Sequence, residues 1–210
     1  MPVLFLHLRQ CCLFYIALLF PMRAKVKEVE KIILGIDPGT SIMGYGIISV
    51  YKGEIKLLAM GVIHLAKLGD HSLRLQRIYE RTVSLIDEFK VDEMAIEAPF
   101  YGKNAQSMLK LGRAQGVAMA ASISREVTAT EYMPKKVKNA VTGKGAASKE
   151  QVAAMVKSIV QYKEDPKYLD ATDALAVAIC HHFQGNAIVS NQKSYSGWDS
   201  FLKNNPDRKA

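Results

Sequence analysis

Apolar positions in this chain fall into short continuous runs, separated by longer segments in which they recur every three or four residues. The first run, residues 32–36, is typical of a strand buried on both faces, because such strands are continuous in Ile, Leu and Val. Further strands are predicted at residues 47–51 and 55–65, joined by a short turn. Short links indicate that these three strands form an antiparallel meander.

A helical periodicity follows the third strand. Apolar residues recur at three- and four-residue spacing from Ser72, a candidate N-cap, to Phe89. A buried strand at residues 94–96 comes next, and the helical crossover before it predicts that it runs parallel to the first strand. A helix rich in small residues at 104–125 then leads to a fifth strand at 127–132. The pattern predicts an α/β fold with a five-stranded mixed sheet, three antiparallel strands and then two parallel ones, flanked by helices.

Three shorter helices complete the predicted domain, residues 31–184. One begins at Pro134 and reaches Thr142, because proline suits a first helical turn. The next follows Ser148, whose spacing from Gln151 matches a capping box. The last covers residues 170–183, and the polar segment 185–210 is interpreted as a basic, disordered tail.

Residues 1–30 differ from the rest of the chain. Residues 11–20 are continuously apolar but make only about half the length that spans a bilayer. No small-x-small cleavage site follows, and Met22 precedes a charged segment that resembles the start of a soluble protein. We interpret residues 1–30 as an N-terminal extension outside the fold, with residues 1–21 as a start-site artefact and a membrane-associating segment as the alternative.

Four acidic residues occupy positions from which they could converge. Asp37 and Glu97 directly follow the first and fourth apolar strands, and the carboxyl ends of neighbouring parallel strands share one edge of a sheet. Asp170 and Asp173 lie three residues apart, on one helix face. Acids are common in first helical turns because they face exposed N–H groups. An unpaired acid after a buried strand is costly, however, so the four together predict a site that binds divalent cations against phosphate.

The predicted site suits hydrolysis of a phosphodiester. Carboxylate oxygens are the ligands that Mg²⁺ and Mn²⁺ prefer. Two such ions, about 3.5–4 Å apart, activate a water and stabilise the leaving oxygen. We therefore expect two Mg²⁺ per site, with Mn²⁺ able to substitute, and no organic cofactor.

Charge and cysteine content narrow the class of partner. The 210-residue chain carries a formal net charge of +8, which favours a polyanion, either nucleic acid or an anionic membrane surface. Its three cysteines, Cys11, Cys12 and Cys180, support neither a disulfide framework nor a zinc site. A reducing cytoplasm is the expected location.

Six motifs in order resemble the RuvC family of Holliday-junction resolvases, which belongs to the RNase H-like superfamily. They are residues 35–39 (GIDPG), 95–100 (AIEAPF), 110–117 (KLGRAQGV), 136–143 (KVKNAVTG), 145–152 (GAASKEQV) and 170–176 (DATDALA). The resemblance implies an RNase H-like fold and a homodimeric endonuclease that nicks two opposed strands of a four-way DNA junction symmetrically. It also implies that the enzyme acts with the RuvA and RuvB branch-migration proteins, without a membrane partner.

The resemblance assigns roles to individual residues. Asp37, Glu97, Asp170 and Asp173 correspond to the metal-binding catalytic acids of the family. Phe100 corresponds to an aromatic residue that stacks on bases at the junction, and stacking is worth about 1–3 kcal/mol per base. Lys138 and Lys149 match basic positions that the family uses against DNA and the scissile phosphate. Apart from the resemblance, Lys103, Arg113 and Lys144 are further candidate basic contacts to DNA.

Lys149 and the histidines of the last helix need separate interpretation. Lys149 is predicted in the first turn of a helix, where a lysine opposes the helix dipole, so a phosphate contact explains it better than helix stability. His181 and His182 are predicted at a helix C-terminus, where the dipole favours histidine, and we interpret them as structural.

Other functions fit parts of the sequence. The turn at residues 37–40 (DPGT) also suits an actin-like or sugar-kinase-like ATPase, although no second glycine-rich phosphate turn follows and the chain is short for that class. An RNA-processing nuclease of the same superfamily is a second alternative. A non-catalytic junction-binding protein is a third, disfavoured because four clustered acids would repel DNA unless metal ions neutralised them.

Overall fold

The computed structural model describes residues 31–99, 104–162 and 168–189, with side chains to residue 185. Within these ranges the chain forms five strands and five helices. The strands are β1 (Lys31–Asp37), β2 (Ile42–Tyr51), β3 (Glu54–His64), β4 (Glu93–Glu97) and β5 (Thr128–Tyr132). The helices are α1 (His71–Phe89), α2 (Ala105–Ile123), α3 (Pro134–Thr142), α4 (Lys149–Val160) and α5 (Leu169–Val189).

The strands form one mixed sheet in the order β3-β2-β1-β4-β5. Strand β2 pairs antiparallel with both β1 and β3, whereas β4 runs parallel to β1 and β5 runs parallel to β4. The predicted meander, the crossover and the parallel pair are confirmed. Strand β1 therefore lies at the centre of the sheet, with β4 directly beside it.

The two faces of the sheet carry separate apolar cores. Because side chains alternate along a strand, Leu34 and Ile36 face the layer of α1 and α2. Ile33 faces the opposite layer, built from α3, α4 and α5. By the same alternation, Asp37 projects from the end of β1 toward the layer that contains α5.

Helix α5 packs unusually close to the sheet because glycines lie beneath it. A Cβ atom on Gly35 would stand 2.0 Å from the carbonyl oxygen of Ala174, and one on Gly44 would stand 2.0 Å from the carbonyl oxygen of Asp170. Glycine is thus required where the helix backbone rests on β1 and β2. This contact fixes the first turn of α5 relative to the end of β1.

Some predicted boundaries are wrong, each for a local reason. Helix α1 is capped by Asp70 rather than Ser72, because the Asp70 side chain accepts a hydrogen bond from the Ser72 backbone N–H. Strand β2 begins five residues earlier than predicted, at Ile42, since Gly44 and Gly46 pair with β1. The predicted span of α3 and the capping box of Ser148 and Gln151 are confirmed.

The last helix is longer than its sequence pattern indicated. It continues to Val189, beyond the predicted end at Phe183, so it includes the first residues of the predicted tail. The predicted extension at residues 1–30 and the rest of the tail lie outside the described residues. Among the residues that are described, no helix is both long and apolar enough to cross a bilayer.

Candidate active site

Two acids lie side by side at the carboxyl edge of the sheet. Ile36 pairs with Ile96 across the parallel strands β1 and β4, and Asp37 and Glu97 are the residues that follow them. Adjacent strands are about 4.8 Å apart, so the two carboxylates leave the sheet as close neighbours on one face. Asp37 and Glu97 are therefore close together, as the sequence predicts.

Helix α5 adds two more acids to this edge. Asp173 lines the same cavity as Asp37 and Glu97. Asp170 is not among the residues that line the cavity, but its backbone rests on Gly44 and its charge raises the pKa of Asp37. The structure therefore brings three of the predicted acids into one cavity and places the fourth beside it.

The cavity has a volume of about 210 Å³ and a mixed lining. Lys138 and Lys149 contribute the basic side chains. An apolar wall, absent from the sequence interpretation, comes from the loop after β4 and from helices α2, α3 and α4. It includes Pro99, Leu111, Pro134, Val137 and Val152. The sequence signal for this wall is weak: Pro99, Leu111, Val137 and Val152 lie within the motifs, and Pro134 lies just before one.

The two acids at the strand ends, Asp37 and Glu97, have pKa values well above those of ordinary carboxyl groups. Burial, followed by the charges of Glu97 and Asp173, raises the pKa of Asp37 to about 8. Burial and the charge of Asp173 raise the pKa of Glu97 to about 7, although Lys149 and Lys138 partly oppose the shift. Both carboxylates need additional positive charge nearby to be fully ionised at neutral pH.

The two cavity lysines are held by specific contacts. Lys149 Nζ lies 2.6 Å from Asp173 Oδ2, with more than half of the lysine side chain exposed. Lys138 Nζ donates a hydrogen bond to the carbonyl oxygen of Ala147 at 2.8 Å, which holds its ammonium near the N-terminus of α4. Both lysines can therefore present positive charge to a phosphate beside the acids.

The other predicted DNA contacts are distributed differently. Arg113 on α2 and Lys144 before α4 are exposed, and neither lines the cavity. Phe100 and Lys103 lie outside the described residues, in the segment that follows Pro99 of the cavity wall.

His181 is structural, as predicted, but not because it ends a helix. Helix α5 continues past it, so the helix dipole does not explain the residue. Its Nδ1 lies 2.8 Å from the hydroxyl oxygen of Tyr132, and its Nε2 lies 2.7 Å from Glu93 Oε2. His181 therefore ties α5 to strands β4 and β5.

The carboxylates of the cavity have the chemistry that binding of a divalent cation requires. Buried carboxylates with raised pKa values are groups that a cation stabilises, and oxygen donors favour Mg²⁺ or Mn²⁺. Within the described ranges, no three acidic, histidine or cysteine side chains already form a group that could hold one ion. The Asp173 carboxylate is instead paired with Lys149.

Comparison with known proteins identifies the family. The sequence profile described as "Crossover junction endodeoxyribonuclease RuvC" matches residues 33–181. The chain belongs to the RuvC family. It is 57% identical over 182 residues to the RuvC of Cytophaga hutchinsonii, covering 87% of this chain and 90% of that protein. It is also 57% identical over 181 residues to the RuvC of Bacteroides fragilis, and the match covers 85% of this chain and 96% of that protein.

Solved RuvC structures agree with this fold. Thermus thermophilus RuvC is 33% identical with a TM-score of 0.68, covering 74% of this chain and 96% of that one. The same protein in complex with a Holliday junction substrate gives 31% identity and a TM-score of 0.71, covering 75% and 96%. The yeast mitochondrial Holliday junction resolvase Ydc2 is 15% identical with a TM-score of 0.55, and the match covers 75% of this chain and 82% of that one. At this identity the likeness supports the fold alone.

Membership of the RuvC family settles the class of the protein. The chain has the RNase H-like fold and belongs to a family of metal-dependent endodeoxyribonucleases. The ATPase alternative, which the turn at residues 37–40 left open, is not favoured.

Proposed function

We propose that this protein resolves four-way DNA junctions by cutting two opposed strands at symmetric positions. The observation that carries the proposal is the convergence of Asp37, Glu97 and Asp173 with Lys138 and Lys149 in one cavity. The family and the junction complex of its Thermus thermophilus relative support the same substrate. Recombination and DNA repair are the processes that produce such junctions.

Asp37, Glu97, Asp170 and Asp173 would hold the metal ions. We propose two Mg²⁺ per site, with Mn²⁺ able to substitute, and a metal pair of this kind activates water and stabilises the leaving oxygen. The carboxylates fix the site at the edge of a rigid sheet, and the apolar wall limits the water around the reacting phosphate. Lys149 and Lys138 would bind the non-bridging oxygens of the scissile phosphate.

DNA contacts would continue outward from this cavity. Phe100 would stack on a base at the junction, and Lys103 would contact the phosphate backbone. Arg113 and Lys144 are exposed and available to more distant phosphates. Binding through several lysines and arginines predicts an affinity that falls steeply as salt increases.

Paired cuts need two copies of the site, which a two-fold homodimer supplies. The exposed face of α2 is the surface that suits this contact. Leu109 and Ile123 are 62% and 64% exposed, and Gly112 and Gly116 between them have open space around their Cα atoms. Leu109, Gly112 and Gly116 follow three- and four-residue steps, and Ile123 lies two turns further on, so a second copy of the helix could approach closely along one apolar stripe.

The wider setting is proposed from the family. We expect the dimer to act on junctions together with RuvA and RuvB, in the cytoplasm. A co-sedimentation experiment with RuvA, RuvB and a synthetic junction tests the first expectation, and loss of the nuclease from the complex would contradict it.

Asp37→Asn tests the assignment of the active site. The change keeps the size of the side chain but removes the charge that would bind metal, and it leaves the basic residues intact. We expect affinity for a four-way junction within about threefold of wild type and cleavage slower by at least about 10³-fold. Glu88→Gln, an exposed acid on α1, is the matched control and should cleave normally. Full-rate nicking by Asp37→Asn would refute the assigned role.

A further inference from the structure

The turn that follows Asp37 is held by a side chain from another element. Residues 38–41 connect β1 to β2, and the turn is tight enough that a Cβ on Gly39 would stand 1.6 Å from the carbonyl oxygen of Ile42. Arg74 reaches this turn from α1. Its Nη1 donates to the carbonyl oxygen of Thr40 at 3.0 Å, and its Nε donates to the carbonyl oxygen of Leu68 at 2.8 Å.

Backbone hydrogen bonds also join the turn after Asp37 to the loop that precedes α1. The N–H groups of Leu65 and Ala66 both donate to the carbonyl oxygen of Ser41, each at 2.9 Å. The turn after Asp37 and the loop before α1 are therefore connected at consecutive residues, 40 and 41. Arg74 is half-buried between them, and its two bonds bridge the segments at a second point.

Helix stability does not explain an arginine at this position. Arg74 is the fourth residue of α1, near the helix N-terminus, where a positive charge opposes the dipole. The planar guanidinium, by contrast, presents several N–H donors in fixed directions and can satisfy two carbonyl oxygens of different segments at once. A lysine ammonium at the end of a flexible stem cannot reproduce that bridge.

We infer that Arg74 is a positioning residue for Asp37, acting through the Thr40 carbonyl to hold the turn in which β1 ends. Asp37 is the last residue of its strand, and strand ends open locally unless the following chain is fixed. A carboxylate that must meet a metal ion and a phosphate loses activity when it shifts by a fraction of an ångström. The inference rests on the proposed function of Asp37 and extends it to a residue in a different element.

The test compares Arg74→Gln with Arg77→Gln, a neighbouring exposed arginine on the same helix. In single-turnover cleavage of a four-way junction, Arg74→Gln should be about 10- to 100-fold slower, with junction affinity within about threefold of wild type. Arg77→Gln should match wild type in both measurements. Arg74→Lys should recover only a minor part of the rate, because it restores the charge but not the bridge.

Hydrogen exchange provides a readout that does not depend on cleavage. The amides of Leu65 and Ala66 should exchange faster in Arg74→Gln and in Arg74→Lys, but not in Arg77→Gln. A wild-type rate in Arg74→Gln, or full rescue by Arg74→Lys, would overturn the inference, and Arg74→Lys decides it if the glutamine variant does not fold. Failure of the wild-type protein to cut junctions would instead refute the proposed function, while the exchange data would still report on the turn.

Discussion

Lys149 Nζ lies 2.6 Å from Asp173 Oδ2, inside the cavity that Asp37 and Glu97 also line. The ammonium neutralises one member of a crowded group of carboxylates, and its charge lowers the raised pKa values of Asp37 and Glu97. The same lysine is the proposed contact to the scissile phosphate. Lys149 is therefore expected to oppose cation binding and yet to be needed for cleavage.

Lys149→Met should separate these two effects. Removing a positive charge next to carboxylates favours cation binding, so Mg²⁺ affinity should rise by about threefold or more. Cleavage should fall by at least about 100-fold, because the phosphate loses a charged partner. Calorimetric titration of Mg²⁺ and single-turnover cleavage measure the two quantities, with Lys56→Met on the exposed side of β3 as the control. If Lys149→Met lowered Mg²⁺ affinity as well as the cleavage rate, the proposed role of Lys149 would be contradicted.

Asp37 predicts an unusual dependence of stability on pH when no divalent cation is present. Its folded-state pKa, raised to about 8 by burial and neighbouring acids, lies above the ordinary value of 3.8, so the folded state keeps a proton that the unfolded state releases. The associated stability is fully present below about pH 4 and is lost as pH rises through about 8. Glu97 acts in the same direction up to about pH 7.

Asp37→Asn should therefore stabilise the metal-free protein at high pH. The amide has no charge to bury, so the free energy of unfolding should rise by several kcal/mol at pH 8.5 and by less than half as much at pH 5.5, because the penalty builds up between the ordinary and the raised pKa. Urea denaturation in the presence of a chelator measures both values. Added Mg²⁺ should stabilise the wild-type protein far more than the variant. Two results would count against the raised pKa of Asp37. One is that Mg²⁺ stabilises the wild-type protein and the variant equally, and the other is that the difference in unfolding free energy between them does not change with pH.

Gly44→Ala should damage the site through the backbone of α5. The new Cβ would collide with the carbonyl oxygen of Asp170, and the helix would have to move away from β2. We expect a loss of about 3 kcal/mol in the free energy of unfolding, together with loss of cleavage in the molecules that still fold. Gly69→Ala, where nothing lies within 4 Å, should change stability by less than about 1 kcal/mol. Similar behaviour of the two variants would show that α5 tolerates a larger separation.

Gly116→Arg should produce a folded monomer. Its position on α2 has open space around it, and arginine is a better helix former than glycine, so the single chain should not be destabilised. A large charged side chain in the middle of the apolar stripe would prevent close approach of a second helix. Analytical ultracentrifugation should show a dimer for the wild-type protein and for Gly69→Arg, and a monomer for Gly116→Arg. A dimeric Gly116→Arg would place the interface elsewhere.

Parts of the fold and the site could be predicted because they depend on spacing along the chain. Strand alternation and the helical crossover were enough to place Asp37 beside Glu97, and a three-residue step placed Asp170 and Asp173 on one helix face. Contacts between side chains distant in sequence could not be predicted in this way. Lys149 meets Asp173 across 24 residues, and His181 meets Glu93 across 88, through packing that no local pattern encodes. The cap at Asp70 was missed because Ser72, two residues later, offers the same local signal.

Cleavage of a synthetic four-way junction, with a linear duplex of the same sequence as control, tests the proposed function most directly. With Mg²⁺, the wild-type protein should nick two opposed strands of the junction at symmetric positions and leave the duplex intact. Both nicks should disappear in the presence of a chelator. Equal cutting of junction and duplex would contradict junction resolution, and cutting that persists without any divalent cation would contradict the four-acid metal site.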